Sequence, residues 1–121
     1  MPSTLRRADR IRRTSEYRAA QRSGARVHTP HFTFVLVPRS GRTPRLGITV
    51  SKKVSAKSVQ RNRVKRLVRE VFRRHRDLVP EGVDLVFVAK ASAVGLGYED
   101  VLAETSGAKA ALDRAARRVL R

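Results

Sequence analysis

The 121-residue chain contains no cysteine and no tryptophan, and only 5% of it is aromatic. Without cysteine it can form neither a disulfide nor a thiolate metal site, and so few rings exclude an aromatic-rich binding groove. Acids are scarce too: 10 Asp plus Glu stand against 28 Lys plus Arg, a formal net charge of +18. No apolar run approaches the roughly 18 residues of a membrane-spanning helix. The opening "MPSTLRRADRIRR" is basic but lacks the apolar stretch of a secretory signal. These absences make a cytoplasmic protein without a membrane partner the simplest expectation.

What is present fits one domain over 1–121, with residues 1–13 as a basic, loosely ordered arm. Forty per cent hydrophobic residues suffice for a modest aliphatic core. A charge so far from balance points to a polyanion. Nucleic acid is favoured over an anionic membrane, because the most amphipathic helix carries an ordinary core stripe.

Short elements follow the arm. "TSEYRAAQRSG" offers Thr14 or Ser15 as an N-cap, a short helix, and Gly24 as its C-terminal residue. "HFTFVLVP" (31–38) and "LGITV" (46–50) read as two antiparallel strands joined by the turn-rich "RSGRTPR", with "RVHT" a further strand in front. In the second of these, Leu46, Ile48 and Val50 share a core face, leaving Gly47, Thr49 and Ser51 on a small polar one able to receive a ligand. "VDLVFVAK" (83–90) is apolar enough for a strand buried on both sides. After the "ASAVGLG" loop, one last helix is expected from about 98, with Glu99 and Asp100 at its positive end.

The most informative stretch is "RNRVKRLVREVFRRHR", 61–76. Val64, Leu67, Val68, Val71 and Phe72 follow helical spacing and form a core stripe. Opposite run Asn62, Arg66, Arg69 and Arg73 along about 17 Å of axis. Arg61 and Lys65 share one flank and Arg63 takes the other. Solvated charged faces interleave acids, whereas only Glu70 does so here, placed to pair with Arg74. The row therefore suits phosphates, which guanidinium groups match with forked donors.

The segment "RLGITVSKKVSAKSVQRNRVKRLVREVFR" (45–73), combining G-x-x-V-S-K-K with R-N-R-x-K-R-x-x-R-E, resembles the signature region of the bacterial ribonuclease P protein subunit. The leading L-x-x-x-x-x-I-x-x-x-x-E-Y pattern and the order of the later elements extend the resemblance over nearly the whole chain. It implies an α/β domain, an α+β two-layer sandwich ordered α-β-β-β-α-β-α. The type is shared with a ribosomal protein domain and contains a left-handed β-α-β crossover, where general handedness rules favour a right-handed one. It also implies a ribonucleoprotein that removes the 5′ leader of precursor tRNA. Catalysis would reside in the RNA subunit, which holds the required Mg2+. The partners would be ribonuclease P RNA and precursor tRNA, with no obligate protein partner. The protein would supply no catalytic residue and bind no metal or cofactor alone.

Carried over residue by residue, the resemblance places a leader cleft at Tyr17, Val35, Thr49, Lys53, Arg61, Asn62 and Lys65. Arg63, Arg66 and Arg69 would lie nearer the catalytic RNA; Lys52 and, by extension of the helical row and not from the resemblance, Arg73 complete the RNA-binding set. Gln21 also belongs to the cleft, but it and Val35 stand where relatives often carry aromatic residues, so base stacking is expected to be weaker. "SAKSV" before Gln60 is one residue longer than the family spacing, with Lys57 and Ser58 where small residues are usual.

Other constellations have plainer readings. His28 and His31 form H-x-x-H, but in an extended segment the two rings do not share a side. His75 projects toward the core stripe. Glu99, Asp100 and Glu104 are accounted for by the helix dipole, and "GLG" at 95–97 is a turn. Tyr17 serves either as a core anchor or as a stacking platform. Three other functions compatible with the charge are weaker: a ribosomal RNA-binding protein, an independent metal nuclease, which the scarcity of acids disfavours, and a duplex-DNA binder, for which there is no helix-turn-helix pair.

Overall fold

The computed structural model describes residues 24–39 and 45–120. The arm and the expected helix carrying Tyr17 and Gln21 lie outside them. Strands β1 (Ala25–His28), β2 (Phe32–Pro38), β3 (Leu46–Thr49) and β4 (Val83–Ala89) form one sheet in the order β1-β2-β4-β3. Helices α1 (Ser58–Arg74), α2 (Tyr98–Gly107) and α3 (Lys109–Val119) complete the described elements, with short 3-10 turns at Arg76–Leu78 and Ala91–Gly95.

The expected antiparallel partnership of the second and third strands is corrected. β4 lies between them, antiparallel to β2 and parallel to β3. Its apolar residues require cover on both faces and a neighbour on each edge, which only a central position supplies. Adjacency in the chain was a poor guide because α1 carries the chain from β3 across to β4. This is the parallel β-α-β unit that the resemblance implies.

One sheet face bears Phe32, Phe34, Leu36, Leu46, Ile48, Leu85 and Phe87, all in the main core with Val64, Val68, Val71 and Phe72 of α1. The rings of Phe34 and Phe87 meet edge to face with centroids 4.8 Å apart. α1 packs on β3 and α2, while α3 packs on β1 and β2. The other face carries the small buried pair Val35 and Val86.

Two helix boundaries differ from expectation. α1 begins at Ser58, three residues early, because the Ser55 hydroxyl receives the Lys57 N–H at 3.2 Å and bonds the Gln60 side chain, anchoring the start without a capping side chain at Lys57 itself. The single C-terminal helix is two: at Ala108 the N–H turns back to the Glu104 and Thr105 carbonyls. The new direction lets Leu112, Ala115 and Ala116 enter the core. Before β4, Gly82 adopts φ 84°, a conformation glycine takes without strain. Its carbonyl accepts the Arg39 N–H at 2.8 Å.

Candidate nucleic-acid interface

The cations of α1 divide by what they hold. Arg61 donates from Nη1 to the carbonyls of Ser55 at 2.8 Å and Ala56 at 2.9 Å, fixing the loop that leads into its own helix. Arg63, on the opposite flank, donates to the carbonyls of Leu96 at 2.8 Å and Val94 at 3.2 Å, tying α1 to the loop before α2. Arg73 and Arg74 both engage Glu70. The expected pairing of Glu70 with Arg74 is present, and Arg73 joins it, which partly neutralises Arg73 at the far end of the row. The hydrogen bond from Arg73 is the largest influence on the Glu70 carboxyl and, with the charges of Arg73 and Arg74, outweighs desolvation to hold it below the usual range.

Lys52, Lys53, Asn62 and Arg66 are exposed and Lys65 is half-buried; among the described residues none of their side chains has a hydrogen-bonding or ionic partner. The first turn of α1 contains no acid, so its positive end adds to their field instead of being offset. Lys52 and Lys53 lie in the turn that follows β3, closed by the Val54 N–H on the Ser51 carbonyl at 3.0 Å. This turn brings the two lysines, the start of α1 and Thr49 to one end of β3.

Strand register defines the surface beside that end. Thr49 pairs with Val88, Val88 with Thr33, and Thr33 with His28, a row across all four strands on one face. The His28 ring nitrogen lies 3.1 Å from the Thr33 hydroxyl. In the next row Gly47, Val86 and Val35 are buried. Val35 retains only 1% exposure and supports this face from within. Thr49 is half-open, as its small polar surroundings led one to expect. His28 and Thr33 were not anticipated here; the cross-strand register that aligns them with Thr49 depends on the central placement of β4.

The two histidines of H-x-x-H part company. His31 bonds Glu104 through its ring and, at 2.9 Å, through its backbone N–H, and the Thr29 hydroxyl donates to the same carboxylate. Glu104 thus grips the β1–β2 turn; its position near the middle of α2 gives the dipole no part in it. Burial, the largest single influence, raises its carboxyl, but the bonds from Thr29 and His31 and the His31 charge together hold it below the ordinary value. Glu99 and Asp100 do occupy the first turn of α2, and Asp100 accepts the Gly97 N–H at 2.9 Å. His75 sits half-buried at the end of α1 with its ring nitrogen 3.0 Å from the Tyr98 hydroxyl. Among the described residues no three His, Asp or Glu side chains converge as metal ligands.

An α/β domain whose sheet ends in a lysine turn, with an acid-poor arginine helix beside it, belongs to the class of phosphate-backbone binders. Comparison with known proteins narrows the class. The family model described as Ribonuclease P matches residues 5–115. The ribonuclease P protein component of Syntrophus aciditrophicus is 41% identical over 101 residues, covering 84% of each chain. That of Desulfovibrio desulfuricans is 48% identical over 99 residues, covering 78% of this chain and 75% of its own. Among solved structures, the Thermotoga maritima ribonuclease P protein superposes with a TM-score of 0.74 at 26% identity, covering 87% of this chain and 96% of that one. The Staphylococcus aureus protein gives 0.73 at 25%, covering 84% and 92%. The chain belongs to the ribonuclease P protein family, as a subunit of the holoenzyme that processes tRNA 5′ ends together with an RNA subunit.

Proposed function

We propose that this subunit holds the precursor tRNA leader across the Thr49 end of the sheet and the catalytic RNA along α1, acting in the cytoplasm. The observation that carries the reading is the set Lys52, Lys53, Asn62, Lys65 and Arg66, gathered at one end of β3 and α1 with no acid set against it among the described residues. Arg61, Arg63 and Arg69 complete the basic helix, with Arg61 and Arg63 also fastening the loops on either side. Arg73, already shared with Glu70, contributes least. Tyr17 and Gln21, outside the described residues, complete the set proposed for leader binding.

Polar and cationic groups of this kind orient a strand and neutralise its charge. Hydrolysis at the 5′ junction, leaving a 5′ phosphate, is the work of the RNA subunit and the Mg2+ it binds, and the protein raises the affinity of the assembled complex for substrate. The test is leader cleavage at low magnesium by ribonuclease P RNA alone, the protein alone, and both. Efficient cleavage only by the combination is expected; cleavage unaffected by the protein overturns the proposal. Shortening the leader should then remove most of the protein's contribution to substrate affinity.

A further inference from the structure

The second arginine-rich surface of the molecule lies away from the signature segment. Leu112, Ala115 and Ala116 of α3 are buried, and Val119 packs at the core edge. On the other side Arg114, Arg117 and Arg118 are exposed, and at spacings of three and four residues they share one helix face. Among the described residues none has a side-chain partner. The nearest acid, Asp113, is taken by Lys109 at 3.4 Å.

Arginines at i, i+3 and i+4 repel one another, which costs helix stability unless an anion intervenes. A helix C-terminus welcomes cations, and Arg117 and Arg118 lie in the last turn of α3; Arg114 lies before it and lacks that explanation. The pattern is the one α1 shows, a core stripe backed by a cationic face whose one acid is engaged already, Asp113 here by Lys109 and Glu70 there by Arg73 and Arg74. The two helices cover the same sheet face, α1 at the β3 side and α3 over β1 and β2. Strands lie about 4.8 Å apart, so the two basic surfaces stand on the order of 10–15 Å from each other. The individual phosphates held by Lys52, Lys53 and Arg66 would not also reach the α3 arginines.

We propose that Arg114, Arg117 and Arg118 form a second RNA-backbone contact, taking a segment of the ribonuclease P RNA separate from the one at α1. The inference rests on the reading that this chain binds that RNA. Three guanidiniums on one turn and a half match a phosphate backbone in charge and in forked donor geometry.

The chain has no cysteine, so a single introduced thiol can carry an aryl-azide crosslinker. One label is placed at Ser58→Cys, exposed at the start of α1, and another at Arg117→Cys, each in the full chain assembled with ribonuclease P RNA and precursor tRNA. Both labels are expected to crosslink ribonuclease P RNA, at non-overlapping nucleotides. R114A/R117A/R118A should flatten the log-affinity against log-salt slope by about 2, since each phosphate contact is worth roughly 0.7 to 0.9. The triple lysine variant should keep most of the slope, separating charge from folding. Crosslinking from Ser58→Cys alone, with an unchanged slope, overturns the second contact and leaves the first. Capture of precursor tRNA by the Arg117→Cys label overturns the assignment of partner. Failure of both labels overturns the RNA-binding reading itself.

Discussion

The two faces of the sheet divide the labour of the molecule. Alternate residues of β4 show it: Leu85 and Phe87 enter a core closed by three helices, while Val86 and Val88 look the other way beside Val35, Gly47 and Thr49. The first face holds large rings in mutual contact. The second holds small side chains and, along its Thr49–His28 row, hydroxyls and a ring partly open to solvent. Stability is concentrated where volume is, and the face proposed for leader contact carries side chains small enough to be changed without disturbing the core. Substitutions on the two faces should therefore fail in different assays.

The largest effect is expected at Phe87. Phe87→Ala removes a ring buried to 2% exposure and packed against Phe32 and Phe34, which should cost about 3–5 kcal/mol in urea denaturation. Thr49→Ala, on the opposite face of the neighbouring strand, should change stability by less than about 1 kcal/mol yet weaken leader-dependent substrate binding. Equal losses of stability from both would end the distinction between the faces.

Glu104 tests how the helical layer is held to the sheet. Glu104→Gln keeps its size but loses the charged acceptor for Thr29 and His31, and should cost about 2 kcal/mol at neutral pH. Because folding lowers this carboxyl from its ordinary value of 4.5, its stabilisation is complete above that value and fades as pH falls through the folded one. The stability difference between the parent and Glu104→Gln should accordingly shrink as the solution is acidified below pH 4.5. A difference that stays constant in acid would mean that the carboxylate charge is not what fastens the β1–β2 turn.

The sequence made one face of β3 and the core stripe of α1 legible, because each depends on local periodicity alone. Leu46, Ile48 and Val50, and Val64, Val68, Val71 and Phe72, all reach the core. The central place of β4 was not legible. It depends on how a strand after α1 returns between two earlier ones, which no local pattern encodes. The same limit hid the alignment of His28 and Thr33 with Thr49, and the use of Glu104 by a turn some seventy residues earlier. The basic set at the site was visible as charge, but the division of arginines between carbonyls and solvent depends on loops that periodicity does not place.

That division gives the subtlest way to sharpen the comparison, since Arg63 and Arg66 look alike in sequence. Arg66 is exposed and Arg63 spans two carbonyls of the loop before α2. Arg66→Ala should leave stability within about 0.5 kcal/mol and flatten the salt dependence of RNA affinity by roughly 0.7 to 0.9 in log-log slope. Arg63→Ala should do the reverse: about 1 kcal/mol of stability is lost with its hydrogen bonds, and the slope moves less, because a guanidinium committed to backbone carbonyls is less able to displace counterions from RNA. Both quantities can be read on the same two variants, by denaturation without RNA and by titration at several salt concentrations. Identical slopes for the pair would show that Arg63 gives up its carbonyls on binding, making the anchored and open cations of α1 interchangeable once RNA is present.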